Sequence, residues 1–181
     1  MILETERLLL RPWTQADAQE LYRYASDDRV GPAAGWAVHK SAEESREIIR
    51  GVLSADGVFA IVPKELGLPV GSAGFSEKHF GNPDEPELGY WVGVPFWGRG
   101  YAPEAALHLL GHAFSGGCRR VWVSHYEGNN KSRSVIRKCG FGFEFKQEAD
   151  VPALSETRVT YFYSLSREDW DSRARTEEGS P

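Results

Sequence analysis

The stretch Pro95-Phe96-Trp97-Gly98-Arg99-Gly100-Tyr101-Ala102-Pro103-Glu104 constrains this chain more than any other. A β-rich run ends at it, two glycines stand two positions apart, and an apolar run with helical spacing follows at once. Pro95 has no N–H for a sheet ladder and Pro103 suits the first position of a helix, so the segment reads as a strand-to-helix turn. A strand must sit in a sheet and a helix must cover it. The turn therefore commits its surroundings to a layered arrangement of both elements.

The remaining pattern agrees. Arg7 to Trp13 reads as a strand, and Thr14 caps a helix from Gln15 to about Ser26 with Ala18, Leu21, Tyr22 and Ala25 on one stripe. Gly31 to Lys40 reads as a loop. Ser41 with Glu44 forms a capping-box signature that opens a second helix, to about Leu53. Val58 to Pro63 and Val70 to Ser76 form a hairpin around Gly67-Leu68-Pro69, and Glu87 to Val94 is a further strand. A third helix runs from Pro103 to the Gly116-Gly117 pair, Arg120 to His125 is β-rich, and a fourth helix spans Asn129 to Gly140. Strands near Phe141 to Lys146 and Arg158 to Leu165 close the pattern. The expected fold is α/β (α+β): one domain over residues 1–166, with a mixed sheet and about four helices. The polar stretch from Arg167 to Pro181 is expected to fray as a flexible tail.

The chain of 181 residues is 41% apolar and 26% charged, which suits one globular core. A net charge of −5 argues against broad nucleic-acid binding, which needs a basic face. It suits cationic partners, although acidic surfaces also serve solubility alone. No apolar run is long enough to span a bilayer, and Met1 to Arg7 lacks the order of a secretory signal. Two cysteines, Cys118 and Cys139, are too few for a disulfide scaffold, so a reducing cytoplasm is the expected setting.

Unpaired N–H groups converge at a helix start and the helix dipole adds positive potential, so the Gly98–Ala102 turn suits a diphosphate. The alternative is a tight turn that needs glycine for backbone shape alone. The segment is neither a P-loop nor a dinucleotide fingerprint, since no Gly-Lys-Ser/Thr follows and the third glycine is absent. It resembles the pyrophosphate loop of the GNAT superfamily of N-acetyltransferases, Gln/Arg-x-x-Gly-x-Gly/Ala, with Trp97 in place of the usual first residue. That departure is similar to the Rim-type branch, which acetylates ribosomal-protein N-termini. Three further blocks resemble the same branch: Glu4-Thr5-Glu6-Arg7-Leu8-Leu9-Leu10-Arg11, Glu87-Leu88-Gly89-Tyr90-Trp91-Val92, and Asn129-x-x-Ser132 continuing through Val135-Ile136-Arg137-Lys138-Cys139-Gly140-Phe141.

The resemblance implies an acyl-CoA N-acyltransferase fold whose sheet is splayed at the cofactor. Acetyl-CoA would lie there, its pantetheine arm on the backbone of Val92 and Val94. Its diphosphate would sit on Gly98, Arg99, Gly100, Tyr101 and Ala102, and Asn129 would bond a pantetheine amide. Asn129 reads equally as a plain N-cap. Arg99, Lys131 and Lys138 could neutralise phosphates or be solvated surface cations.

An amine would attack the thioester directly. Glu87 is the first candidate base and His79 the second, though Glu87 also reads as an exposed strand carboxylate and His79 as a turn residue. Ser132 shares a stripe with Val135, Ile136 and Cys139 and is the candidate acid for the leaving thiolate; a structural serine bonded to the preceding turn is the alternative. Many superfamily members carry a tyrosine where this chain has Ile136. Trp36 would border the acceptor, which could be a protein N-terminus, a polyamine or an aminoglycoside-like amine. A non-catalytic acyl-CoA sensor is the rival class, and the chain could act as a monomer or a homodimer. His108 and His112 are four apart but lack the glutamate of a His-Glu-x-x-His site, so no metal is expected.

Overall fold

A computed structural model of the chain describes residues 1–76 and 84–178. Its sheet has the strands β1 (Leu3–Glu4), β2 (Leu8–Arg11), β3 (Val58–Pro63), β4 (Gly71–Ser76), β5 (Glu87–Val92), β6 (Arg120–Tyr126), β7 (Gly142–Val151) and β8 (Glu156–Ser166), in the spatial order β1-β2-β3-β4-β5-β6-β8-β7. The helices are α1 (Ala18–Ala25), α2 (Gly31–Ala34), α3 (Ala42–Ile48), α4 (Tyr101–Ser115), α5 (Asn130–Lys138) and α6 (Arg167–Glu178). Among the described residues, no helix is long and apolar enough to cross a membrane.

Every neighbouring pair of strands is antiparallel except β5 and β6. These two are parallel and register at Glu87↔Trp122, where Trp122 N–H donates to the Pro86 carbonyl at 2.9 Å. Beyond that point they part. The expected splay is therefore present, and it leaves part of β5 without a strand beside it. Gly93 N–H donates to Val70 O at 2.8 Å, which fixes the alternation: odd-numbered residues of β5 bond β4, while the backbone of Tyr90 and Val92 faces the gap.

The alternation of β3 explains the two covered faces. Phe59 and Ile61 join Leu8, Leu10, Leu109, Leu110 and Phe114 in the larger core, under α4 and α5. Ala60 and Val62 point the other way, to Trp13, Leu21, Ala25 and Ile49 under α1 and α3. The start of α1 is fixed by Arg11, whose two terminal nitrogens each meet an Asp17 carboxylate oxygen at 2.7 Å. Burial pushes the Asp17 carboxyl up, yet the bonds from Arg11 and Thr14 hold it below the usual range.

Three expectations need correction. The helix after the glycine turn starts at Tyr101 rather than Pro103. Proline still fits there, because N–H groups in the first turn have no intrahelical acceptor. The Gly31–Lys40 segment contains α2, with Pro32 in its first turn and Gly35 (φ 88°) ending it. The stretch expected to fray is helical as α6 to Glu178. Ser166 caps it, accepting from Asp169 N–H at 3.1 Å, Trp170 stacks on Phe114 with centroids 5.5 Å apart, and Arg173 binds the Cys139 carbonyl.

Candidate active site

The parting of β5 and β6 opens a cavity of about 970 Å³. Its walls come from Leu88–Val92, Phe96–Gly98, Gly100–Pro103, Val123–Ser132 and the segment around α2. Ser76, Glu87, Ser134, Val135, Lys138 and Arg158 complete it.

At one end lies the glycine turn. Gly98 (φ 78°) and Gly100 (φ 82°) both adopt left-handed backbone that a side chain would strain. Open space stands where a Cβ of Gly98 would be, so a guest can approach that backbone closely. Glu104 N–H bonds the Gly100 carbonyl at 3.2 Å and Pro103 has no N–H. Among the described residues, no backbone acceptor meets the N–H groups of Gly98, Gly100, Tyr101 or Ala102. These are the donors an anion would use.

The turn is braced from far along the chain. Arg7 donates to the Arg99 carbonyl at 2.9 Å and pairs with Glu104 at 2.5 Å, while Thr5 Oγ1 donates to Glu104 at 2.6 Å. Burial raises the Glu104 carboxyl, but the bonds from Thr5 and Arg7 outweigh it and hold the group below the ordinary range. The opening block Thr5-x-Arg7 thus acts as a clamp on the turn. Sequence reading quoted both partners of this clamp without linking them, because they lie 97 positions apart.

Trp97 occupies the first position of the loop and binds backwards. Its indole N–H donates to the Val92 carbonyl at 2.7 Å and its own N–H to the Val94 carbonyl at 3.1 Å. Both carbonyls are thus engaged within the protein; Val92 lines the cavity, and Val94 is not among its lining residues. The backbone of Tyr90 and the Val92 N–H face the gap. The Lys131 ammonium sits over the Trp97 ring at 4.1 Å, and the Arg99 guanidinium over Phe96 at 5.3 Å. Lys131 and Lys138 both line the cavity.

In the middle, the two faces of the sheet present different chemistry. Glu87 belongs to the face of Trp91, towards α1 and α3, and is 8% exposed. Ser124 Oγ donates to its Oε1 at 2.6 Å. The alternative reading of Glu87 as an exposed strand carboxylate is thus overturned: it is buried at the cavity wall. Tyr90 projects from the opposite face and meets Ser132 of α5, Oη to Oγ, at 3.0 Å. Burial pushes the Tyr90 phenol well above its usual range, with the Ser132 bond pulling partly back. Ile136 and Cys139 of the Ser132 stripe are buried as expected, and burial raises the Cys139 thiol to about 11. Asn129 is the cap of α5: its Oδ1 accepts from Ser132 N–H at 3.0 Å and its Nδ2 donates to the Ala33 carbonyl at 3.1 Å. The cap is therefore formed, while Oδ1 keeps a second lone pair and Nδ2 a second hydrogen, and Asn129 lines the cavity.

The far end is closed by α2. Arg158 donates to the Pro32 carbonyl at 2.6 Å and stacks on Tyr126 at 5.2 Å, and Arg29, Val30, Ala33 and Ala34 line the cavity. Trp36 does not line it; its ring packs against Trp91 and His39, with centroids 5.7 Å and 5.2 Å away. Trp36 thus packs behind Trp91, which does line the cavity. His79 lies outside the described residues. Among the described residues, no group of three or more His, Cys, Asp or Glu is placed to hold a metal ion.

The chain is similar to known proteins both in sequence and in overall fold. The acetyltransferase (GNAT) domain profile matches residues 7–142. The chain belongs to this acetyltransferase family. The N-acetyltransferase p20 of Bacillus licheniformis, itself uncharacterized, is 33% identical over 174 residues, covering 93% of this chain and 97% of that protein. A GNAT-family acetyltransferase structure from Bacillus anthracis superposes with a TM-score of 0.82 at 26% identity, covering 93% of this chain and 99% of the other. A structure of a putative ribosomal-protein-serine acetyltransferase from Vibrio cholerae shares the fold at a TM-score of 0.77 and 22% identity, over 92% and 97% of the two chains. The protein is accordingly an acyltransferase of the N-acetyltransferase class.

Proposed function

We propose that this acetyltransferase moves an acetyl group from acetyl-CoA to a primary amine by direct attack. The observation that carries this reading is the pairing across the gap: a buried carboxylate, Glu87, on one face and a hydroxyl, Ser132, on the other, with the cavity between them. Acetyl-CoA is the donor expected of the family. Its diphosphate would rest on the N–H groups of Gly98, Gly100, Tyr101 and Ala102, with Lys131 and Lys138 offsetting phosphate charge. The pantetheine arm would then lie along β5 and bring the thioester between the strands.

An amine attacks only when neutral. At pH 7 that condition costs about 4.6 kcal/mol for a lysine-like amine but only about 1.4 kcal/mol for an α-amine. Glu87 would take the proton that the nitrogen sheds, directly or through water. The arithmetic leans towards an α-amine, and the sequence resemblance to the Rim-type branch points the same way, to a protein or peptide N-terminus. Polyamines and aminoglycoside-like amines are the other acceptors, which the chain's net charge of −5 suits.

Thiol release from acetyl-CoA, measured with a panel of short peptides bearing free N-termini, spermidine and an aminoglycoside, tests the reading. Turnover with a peptide but not with its N-terminally blocked form is the expected result. Tight acetyl-CoA binding with no release for any amine would replace the enzyme reading by the acyl-CoA sensor.

A further inference from the structure

The hydroxyl assigned to the leaving sulfur does not stand alone. Tyr90 Oη lies 3.0 Å from Ser132 Oγ and 3.2 Å from the Ser132 carbonyl oxygen, and both side chains line the cavity. Each hydroxyl carries one proton, so two arrangements exist. If Tyr90 donated to the carbonyl, the serine proton would turn onto the phenol oxygen and away from the cavity. If Tyr90 donates to Oγ, the serine proton is free to point at a guest. The Ser132 carbonyl lies inside α5, where the i to i+4 ladder already supplies an N–H, and it is the more distant acceptor. With a guest acceptor in the cavity, the second arrangement uses both protons and keeps the shorter of the two contacts, 3.0 Å against 3.2 Å.

We infer that Tyr90 is a positioning residue that donates to Ser132 Oγ and aims the serine proton at the departing sulfur of the thioester. The inference rests on Ser132 facing the leaving sulfur as proposed above, and it replaces the proton transfer expected of an acid by a donated hydrogen bond. As the nitrogen–carbon bond forms and the carbon–sulfur bond breaks, the electron pair leaves with sulfur. An alcohol is a weaker acid than a thiol, so Ser132 acts by donating a hydrogen bond to the growing negative charge rather than by giving up its proton. Tyr90 steadies the serine oxygen meanwhile. The proton shed by nitrogen passes to Glu87, and the thiolate takes its own from solvent. Burial keeps the phenol protonated throughout, which is what a fixed donor needs. Sequence reading passed over this residue because its partner lies 42 positions away, on another element.

The test compares Y90F, S132A and the double variant of the full chain, using the peptide that the panel identifies. It records kcat, the KM for acetyl-CoA, acetyl-CoA affinity by calorimetry, and melting temperature. Y90F is expected to lower kcat about tenfold, at unchanged acetyl-CoA affinity, and S132A to lower it further. The double variant should be no slower than S132A, since Tyr90 acts through the serine. Wild-type kcat in Y90F beside an impaired S132A overturns the Tyr90 inference alone. Wild-type kcat in S132A removes the Ser132 reading and the inference with it. Losses that add in the double variant also overturn the inference, because Tyr90 would then act independently. Should Y90F fold poorly, 3-fluorotyrosine at position 90 keeps the shape and strengthens the donor; kcat should rise about twofold at constant KM, and an unchanged kcat overturns the inference.

Discussion

The two ends of the cavity are built on different principles. At the cofactor end the decisive groups follow one another along the chain: Gly98, Gly100 and the first turn of α4 lie within a few residues. At the acceptor end they come from α2, the turn after β6, and β8. Arg158 meets Pro32 across 126 positions and Asn129 meets Ala33 across 96. A cradle for a constant ligand can be written locally, where backbone geometry does the binding. A wall for a particular acceptor is assembled from side chains of separate elements, each of which can change without disturbing the other end.

The largest effect should come from breaking the local end. Gly100→Glu places a carboxylate and an L side chain at a left-handed position whose Cβ meets only the tip of Arg7, 3.2 Å away. Calorimetry should show acetyl-CoA affinity falling on the order of 1,000-fold, since several charge-assisted backbone bonds are lost together. An unchanged affinity would take the turn out of the site.

Between the two ends, Glu87→Gln should lower kcat/KM about 100-fold near pH 7. The deficit should shrink as pH rises, because more of the amine is then neutral without help. A deficit that stays constant with pH would separate Glu87 from proton removal. At the long-range end, Arg158→Ala should raise the acceptor KM about tenfold while the acetyl-CoA KM stays put. If both constants moved together, the independence of the two ends would be lost.

The smallest effect concerns the clamp. Glu104→Gln should cost about 1 kcal/mol, or roughly 2–4 °C in Tm. The native carboxyl is held below the ordinary range, so its contribution is complete above a pH of about 4.3 and is lost as pH falls through the lowered folded-state value. The gap in Tm between wild type and variant should therefore close on acidification. A gap that is constant with pH would leave the Thr5–Arg7 clamp without its ionic component.

The contrast also explains what could be read in advance. The hairpin of β3 and β4, the cap of α3 at Ser41 and the end of α4 before Gly116 all follow from neighbours a few residues apart. The helix α6 has a local signal as well, in Ser166 three residues before Asp169, but its polar composition outweighs that signal, and Trp170 meets Phe114 only in the folded chain. The Trp97 bond to Val92 was not legible, although the two are only five apart, because it depends on how sharply the chain turns.

What the sequence determined by itself is the order of elements and the anion-ready turn, since capping, glycine conformation and periodicity act over one or two turns of chain. Which groups face one another across the gap was decided only when β5 and β6 parted beyond Glu87↔Trp122. Alternation along β5 put Glu87 and Tyr90 on opposite faces, but only the tertiary structure brought Ser124 to Glu87, Ser132 to Tyr90 and Trp36 against Trp91. Contacts of this kind depend on the relative placement of rigid layers, which local preferences along the chain do not encode.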